Sequence, residues 1–222
     1  MKVLTSPSHK VPLAWVDIAT PPLRSDEIRV EVRAASVNPV DWKMRQRDFL
    51  GKAQWVLGPS GSLVTGVDFA GEVSAIGEAV SDVKVGDRVV GGTDFSRKQY
   101  GAYAKQVQVR ADQVVVLPPH VKLDEAACLP VAGVTAHRAL FELGRLAEKS
   151  EARTLVLGAA GGVGHFAVQL AKIGGALSVG VCSSRNVGFV EKLGGIPIDY
   201  SKGDIAEQAA KLGPYDIIVD AV

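Results

Sequence analysis

Hydrophobic and polar residues alternate along the first half of the chain. The stretch EIRVEVRA, residues 27–34, places Ile28, Val30 and Val32 on one face and charged side chains on the other. A period of two is typical of a strand with one buried face. Further short runs, separated by Gly, Asp and Pro, occupy residues 68–77, 85–91, 102–109 and 112–118. Through about residue 119, this pattern predicts an antiparallel barrel or sandwich.

The second half changes to an alternation of strand and helix patterns. Asp124 is predicted to cap a helix, and Pro130 interrupts that helix before a helical period resumes over residues 133–146. Strand patterns occupy residues 154–159, 177–182, 196–200 and 215–222, and helical patterns occupy residues 162–174, 186–195 and 204–213. Short links between them indicate a parallel sheet with right-handed crossovers, an α/β fold. We therefore expect two domains, residues 1–120 and 121–222.

A glycine-rich run joins the first of these strands to its helix. Residues 154–172 read TLVLGAAGGVGHFAVQLAK, and they align Ala159, Gly161 and Gly164 with the fingerprint G-x-G-x-x-G. A strand before the run and a helix after it is the context in which this fingerprint binds a dinucleotide pyrophosphate. The predicted phosphate-binding residues are Ala160, Gly161, Gly162 and Val163. The alternative is an ordinary strand-to-helix turn.

The end of the second parallel strand indicates which dinucleotide binds. An NAD site places Asp or Glu there to hold the ribose 2′-hydroxyl, whereas this chain has Ser183, Ser184 and Arg185. Hydroxyls and a guanidinium can bind a 2′-phosphate that a carboxylate would repel. This pattern predicts NADP(H), although Arg185 is also open to interpretation as a solvated surface residue.

Composition excludes several classes of function. The 222 residues carry 25 basic and 24 acidic side chains, a net charge of +1, which argues against a nucleic-acid partner. Cys128 and Cys182 are too few for a tetrathiolate zinc site and favour a reducing, cytoplasmic location. Organelle or peripheral membrane association stays open. Glycines and polar residues interrupt the apolar run 155–182, so we expect folded core there, with no transmembrane segment.

Five ordered segments carry a resemblance to a known family. They read SVNPVDWK, GVDFAGEVSAIG, VGDRVVG, LPVAGVTAHRAL and AAGGVG followed by AVQLAK. Together they resemble the zinc-independent medium-chain dehydrogenases/reductases, in particular quinone oxidoreductases of the ζ-crystallin-like, chloroplast-envelope and alkenal reductase branches. The resemblance implies a GroES-like β-barrel domain followed by a Rossmann doubly wound parallel sheet.

The same segments differ from those of the zinc alcohol dehydrogenases in this superfamily. The early segment VNPVDWK lacks their cysteine ligand, GVDFAGEV stands where they have GHE, and the cysteines of their structural lobe are missing. The four histidines show no ligand spacing. No metal is therefore expected.

The resemblance also assigns roles to individual residues. It places Asn38 and Asp41 beside the nicotinamide ribose, Thr135 at the nicotinamide and Tyr200 near the adenosine 2′-phosphate. Lys43 stands where quinone reductases often have tyrosine, and with Asn38 and Asp41 it completes the expected catalytic group. From the residues alone, NPVD is equally well a turn, and Tyr200 equally well packs on the sheet.

The function implied is hydride transfer from NADPH to a quinone or an α,β-unsaturated carbonyl compound without zinc. Such a substrate is already electrophilic, so the protein supplies orientation, hydrogen-bond donors and a proton from solvent or Lys43. Trp42 and Trp55 are candidates to line an apolar substrate cleft, and core packing is the stronger interpretation for Trp55.

The last predicted strand, residues 215–222, is the fourth in an order that has six. We expect the Rossmann sheet to be incomplete here, which leaves open a fragment or a genuine short form. For the full-length form the resemblance implies a homodimer. For a native short form, the alternative function is a non-catalytic NADP(H)-binding or interaction protein.

Overall fold

The computed structural model describes residues 1–6, 11–45, 64–94 and 99–222. Trp55 and His9 lie outside the described residues. The chain divides into two compact units, Met1–Val131 and Ala132–Val222. The boundary after Val131 lies later in the chain than the predicted boundary at residue 120. The helical segment between the two positions packs on the antiparallel sheet, where Ala126 and Ala127 join the buried cluster of Ala70 and Val90.

The first unit is built on antiparallel sheets. A two-stranded sheet pairs β1 (Lys2–Thr5) with β2 (Ala14–Asp17). The other five strands form one sheet in the order β6-β3-β4-β5-β7. They are β3 (Glu27–Ala34), β4 (Asp68–Ile76), β5 (Arg88–Gly92), β6 (Gln106–Arg110) and β7 (Val114–Val116). The short helix α1 (Pro39–Arg45) leaves the end of β3, and α2 (Leu123–Ala126) follows β7.

The predicted alternation in β3 is confirmed. Ile28 pairs with Val109, and Val30 pairs with Val107 on the neighbouring strand β6. All four side chains are completely buried in the same apolar cluster, with Phe69 and Val89. Intervening residues face away because successive side chains of a strand point to opposite faces.

The second unit is a parallel sheet with helices on both faces. Its strands are β8 (Arg153–Leu157), β9 (Leu177–Cys182), β10 (Ile196–Asp199) and β11 (Ile217–Asp220), in the order β10-β9-β8-β11. The helices are α3 (Pro130–His137, which begins in the first unit), α4 (Gly162–Ile173), α5 (Val187–Lys192) and α6 (Ile205–Ala210). Leu155 packs in the cluster that holds Ala209 of α6, whereas its neighbour Val156 packs with Val168 of α4. The sheet is therefore doubly wound, as predicted.

One local prediction is wrong. Asp124 does not cap α2: Lys122 is the N-cap residue, and the Asp124 carboxylate accepts the N–H of Glu125 inside the first turn. The helical structure predicted after Pro130 is present through residue 143, but α3 passes into a π-helical segment, Arg138–Leu143. Hydrophobic periodicity does not distinguish an α-helical from a π-helical turn over so few residues.

Candidate functional site

The turn between β8 and α4 leaves three backbone amides free. Gly158 makes the turn with φ of +70°, a left-handed conformation that suits glycine. Gly161 is the N-cap residue of α4 and has no side chain to satisfy the first N–H groups. Within the described structure, the amides of residues 162–164 have no acceptor, and the first bonded amide of the helix is that of His165. An anion placed at this helix start would accept them.

The glycines of this turn have different roles. A Cβ at Gly164 would lie 2.1 Å from the carbonyl oxygen of Gly158, so only glycine lets α4 pack this close to the turn. A Cβ at Gly161 would meet only that same oxygen, at 3.2 Å. Gly161 and Gly162 are exposed, and Ala160 and Val163 are half-buried. The turn therefore has room for a ligand on its outer side.

A second group of predicted residues lies at the ends of β9 and β10. The parallel register pairs Cys182 with Asp199, so the residues that follow each strand are neighbours. The hydroxyl oxygens of Ser184 and Ser201 lie 2.7 Å apart. Tyr200 is 54% exposed. Arg185 is exposed, and its guanidinium has no partner among the described residues. The structure therefore brings Ser184, Ser201, Arg185 and Tyr200 to the carboxyl ends of β9 and β10.

Asp199 belongs to this group and was missed by the sequence prediction. Its side chain is buried, and its Oδ1 accepts the backbone N–H and the hydroxyl of Ser201, at 3.0 and 2.8 Å. Hydrogen bonding from Ser184 and Ser201 lowers the pKa of Asp199, which therefore stays ionised. Lys202 Nζ lies 3.9 Å from Oδ2. The only available signal was position, because Asp199 and Ser201 flank the predicted Tyr200.

Thr135 lies on α3, whose beginning is close to the glycine turn. A Cβ at Gly162 would lie 4.0 Å from the Cβ of Ala132, the first residue of the second unit. Thr135 follows one helical turn later and is exposed. The predicted cofactor-binding residues of this unit thus follow the carboxyl ends of β8, β9 and β10 or lie on a neighbouring helix. In an open parallel sheet, that edge is where ligands bind.

In the first unit, Asn38 and Asp41 are joined by a capping interaction. The Asp41 carboxylate accepts the N–H of Asn38 at 2.7 Å, while Asp41 N–H donates to the Asn38 carbonyl at 3.0 Å. The bond from the Asn38 N–H to the Asp41 side chain is one half of a capping box, and it explains why NPVD begins the helix α1. Asp41, 2% exposed, also accepts the N–H of Val67 at 3.0 Å and the Tyr103 hydroxyl at 3.1 Å. Asp41 is therefore held rigidly by three donors.

Two further members of this network were not predicted. Asp68 is completely buried and accepts hydrogen bonds from the Ser36 hydroxyl, the Asn38 side-chain amide and the N–H of Val131. Burial raises the pKa of Asp68 in spite of these donors. Burial and the nearby Asp41 raise the pKa of Tyr103, which stays a hydroxyl donor. The sequence signal for Asp68 was its place in GVDFAGEV, the segment that differs from the GHE motif of the zinc enzymes.

Lys43 and Trp42 lie on α1 but outside this network. Both side chains are exposed, Trp42 at 47%, and the Lys43 ammonium lies 5.7 Å from the centre of the Trp42 ring. Asn38 and Asp41 are thus brought together by hydrogen bonds, whereas Lys43 projects from the same helix into solvent.

The described residues show neither a metal-binding cluster nor a membrane-spanning helix. No group of three or more His, Cys, Asp or Glu is arranged to hold a metal ion in that part of the chain. None of the helices described has both the length and the apolar character needed to cross a bilayer. The apolar run 155–182 is instead a strand, a helix and a second strand.

Comparison with known proteins gives consistent matches. The alcohol dehydrogenase GroES-like domain family matches residues 24–119. The chloroplastic quinone-oxidoreductase homolog of Spinacia oleracea is 36% identical over 212 residues, which cover 93% of this chain and 63% of that protein. The structure of the quinone oxidoreductase from Coxiella burnetii has a TM-score of 0.84 and 33% identity, covering 100% of this chain and 67% of that one. The chain belongs to the quinone oxidoreductase family.

A further relative of this chain carries a more specific name. The chloroplastic NADPH-dependent alkenal/one oxidoreductase of Arabidopsis thaliana is 35% identical over 213 residues, covering 93% of this chain and 52% of that protein. The chain thus spans less than two thirds of the length of both curated relatives. Membership of the family confirms the predicted fold class, a GroES-like domain followed by a Rossmann-type parallel sheet.

Proposed function

We propose that the chain is an NADPH-dependent oxidoreductase that transfers a hydride to a quinone or an α,β-unsaturated carbonyl compound. The observation that carries this proposal is the start of α4, where three amides lack acceptors in the described structure beside the exposed Gly161. These amides and the positive end of the helix dipole fit a pyrophosphate. The names of the spinach and Arabidopsis relatives support the redox chemistry.

The preference for NADPH rests on the residues beyond β9 and β10. The guanidinium of Arg185 has no partner among the described residues. A second cation, Lys202, lies two residues after the exposed Tyr200 in the sequence. Two cations and the Ser183 hydroxyl would hold a 2′-phosphate through charge-assisted hydrogen bonds. We do not assign Asp199 as the ribose-binding acid of an NAD site, because its Oδ1 accepts two hydrogen bonds from Ser201 and its Oδ2, which has no hydrogen-bond partner, is buried.

The first unit is assigned the substrate chemistry. When bound, NADPH supplies a hydride from C4 of its nicotinamide. Asn38, fixed by Asp41 and Asp68, orients the nicotinamide ribose through its carboxamide. Lys43 carries an exposed ammonium that can donate a proton to the reduced substrate. Trp42 offers an exposed ring beside it for an apolar substrate.

Zinc independence is part of the proposal. It rests on the sequence, in which VNPVDWK and GVDFAGEV replace the ligand-bearing segments of zinc alcohol dehydrogenases. A conjugated carbonyl compound needs no Lewis acid to accept hydride at its β-carbon, whereas oxidation of a simple alcohol does. A homodimer of the full-length form and a cytoplasmic location remain predictions from the sequence.

Calorimetric titration with NADPH and with NADH tests the cofactor assignment. We expect NADPH to bind more tightly by about tenfold or more, the effect of one or two charge-assisted contacts. Equal or tighter binding of NADH would contradict it. The same samples, mixed with an enone and followed by NADPH absorbance, separate the two candidate functions. NADPH binding without turnover would favour the non-catalytic NADP(H)-binding alternative.

A further inference from the structure

The side-chain amide of Asn38 has both of its protons engaged. Its Nδ2 donates to Asp68 Oδ2 at 2.9 Å and to Ser36 Oγ at 2.9 Å. The nitrogen of the carboxamide faces Asp68, whose Oδ2 accepts this hydrogen bond together with the one from the Ser36 hydroxyl. The carboxamide oxygen has no partner among the described residues. The group of the Asn38 side chain that stays available to a ligand is therefore an acceptor, the carboxamide oxygen.

Asp68 is itself held from two sides. Its Oδ2 receives the Ser36 hydroxyl at 2.7 Å in addition to Asn38, and its Oδ1 receives the backbone N–H of Val131 at 3.0 Å. With 0% of its surface exposed, the carboxylate is out of reach of bulk solvent and depends on these donors. The carboxylate of Asp68 thus determines the orientation of the Asn38 carboxamide.

We propose that Asp68 is a positioning residue that directs the Asn38 carboxamide oxygen toward a ribose hydroxyl of the nicotinamide half of NADPH. The proposal rests on the proposed function, which places Asn38 at that ribose. A hydroxyl can donate to the oxygen that the structure leaves without a described partner, whereas an outward amide nitrogen would need an acceptor. Asp68 acts through Asn38 and does not itself contact the cofactor.

The variant Asp68→Asn reverses this orientation without changing side-chain size. Its carboxamide oxygen must accept the Val131 N–H, because that backbone donor is fixed. Its NH₂ group then faces Asn38, which has to turn and present its oxygen inward. The outward group of Asn38 becomes a donor, so the hydrogen bond from the ribose hydroxyl is lost.

The double variant Asn38→Asp/Asp68→Asn restores the orientation by exchanging the two groups. Asn at position 68 donates inward, Asp at position 38 accepts that bond, and its second oxygen again faces outward as an acceptor. The pair keeps one negative charge. The exchange therefore separates a positioning role from a general need for a stable core, since both variants disturb the same buried network.

Binding of NADPH and of 2′,5′-ADP to the 222-residue chain measures the effect. In Asp68→Asn we expect NADPH to bind roughly five- to a hundredfold more weakly, the range for one lost or mismatched hydrogen bond. The affinity for 2′,5′-ADP, which lacks the nicotinamide half, should not change. The double variant should recover most of the lost NADPH affinity, and enone turnover should follow the same order.

A side-chain amide NMR spectrum gives a readout independent of cofactor and activity. In the unmodified chain, the Asn38 amide protons should show slow exchange and the shift of a carboxylate-bonded amide. In Asp68→Asn they should exchange with solvent. An unchanged Asn38 signal and unchanged NADPH binding would overturn the proposal, as would equal loss in the single and double variants. If NADPH and 2′,5′-ADP bind the unmodified chain equally, the nicotinamide assignment under the proposed function fails, and the Asn38 spectrum still decides the role of Asp68.

Discussion

Replacing Gly164 with alanine tests how the glycine turn positions α4. The added Cβ would lie 2.1 Å from the Gly158 carbonyl oxygen and 2.9 Å from the Ala159 Cα, whereas ordinary contacts begin at 3.4 Å. The obstructing atoms belong to the backbone, so they cannot turn away as a side chain can. The beginning of α4 must therefore move from the strand by more than 1 Å to relieve the contact.

Overpacking of this kind costs about 1–3 kcal/mol, and we expect about 3 kcal/mol here because backbone has to move. In a chain of this size, that loss lowers the unfolding temperature by roughly 6–12 °C. The same shift displaces the free amides of α4, so NADPH should bind more weakly.

Gly162→Ala is the matched control in the same turn. Its Cβ would meet only the Ala132 Cβ at 4.0 Å, an ordinary van der Waals contact. Thermal unfolding followed by far-UV circular dichroism should therefore show little change in this variant and a clear decrease in Gly164→Ala. If both variants unfold at the same temperature, the close packing of α4 on the turn does not require glycine at position 164.

Four further predictions concern charges and ligands. Arg185→Ala should weaken NADPH binding by ~1.5–3 kcal/mol, about tenfold to a hundredfold, and leave NADH binding unchanged in the same titration. Asp41→Ala leaves one buried and one partly buried N–H group without an acceptor and should destabilise the fold by about 2–4 kcal/mol in urea unfolding. Tyr103→Phe removes only one donor to Asp41 and should cost about 1 kcal/mol in the same measurement. The pKa of Asp199 is lower in the folded chain than the ordinary value of 3.8. The ionised carboxylate therefore stabilises the fold fully above pH 3.8, and this stabilisation is lost as the pH falls through the pKa of the folded state. Acid should destabilise the unmodified chain more than the variant Asp199→Asn. Dialysis against a chelator should leave enone reduction unchanged, and loss of activity that zinc restores would contradict the zinc-free assignment.

The periodicity of hydrophobic residues predicted the strands of both sheets because the buried side chains in the structure follow that periodicity closely. In β8, Leu155 and Val156 are both apolar, and the structure buries them on opposite faces. A strand buried on both faces is typical of a parallel sheet. The observed order β10-β9-β8-β11 is that of the first four strands of a Rossmann sheet, the fold that the resemblance implied. The hairpin of β1 and β2 was not predicted, since all four residues of β2 are exposed and give no alternating signal.

The candidate site was only partly predictable. The glycine turn is local in sequence, and its spacing alone reports which residues contribute amides. Asp68 and Tyr103 join the network of Asn38 and Asp41 through contacts between distant segments, such as that of Asn38 with a carboxylate 30 residues away. A polar residue in a strand pattern carries no mark that distinguishes a buried network member from an exposed one. Such residues are found only when the fold brings their partners together.

Transfer of deuterium to an enone from NADPH that carries deuterium at both C4 positions tests the proposed function most directly. The 222-residue chain, NADPD and the enone are incubated, and the product is analysed by mass spectrometry and NMR. Hydride transfer predicts one deuterium at the β-carbon of the saturated product for each NADPD consumed, with the α-hydrogen derived from solvent. Product without deuterium, or tight NADPH binding with no product at all, would contradict the account.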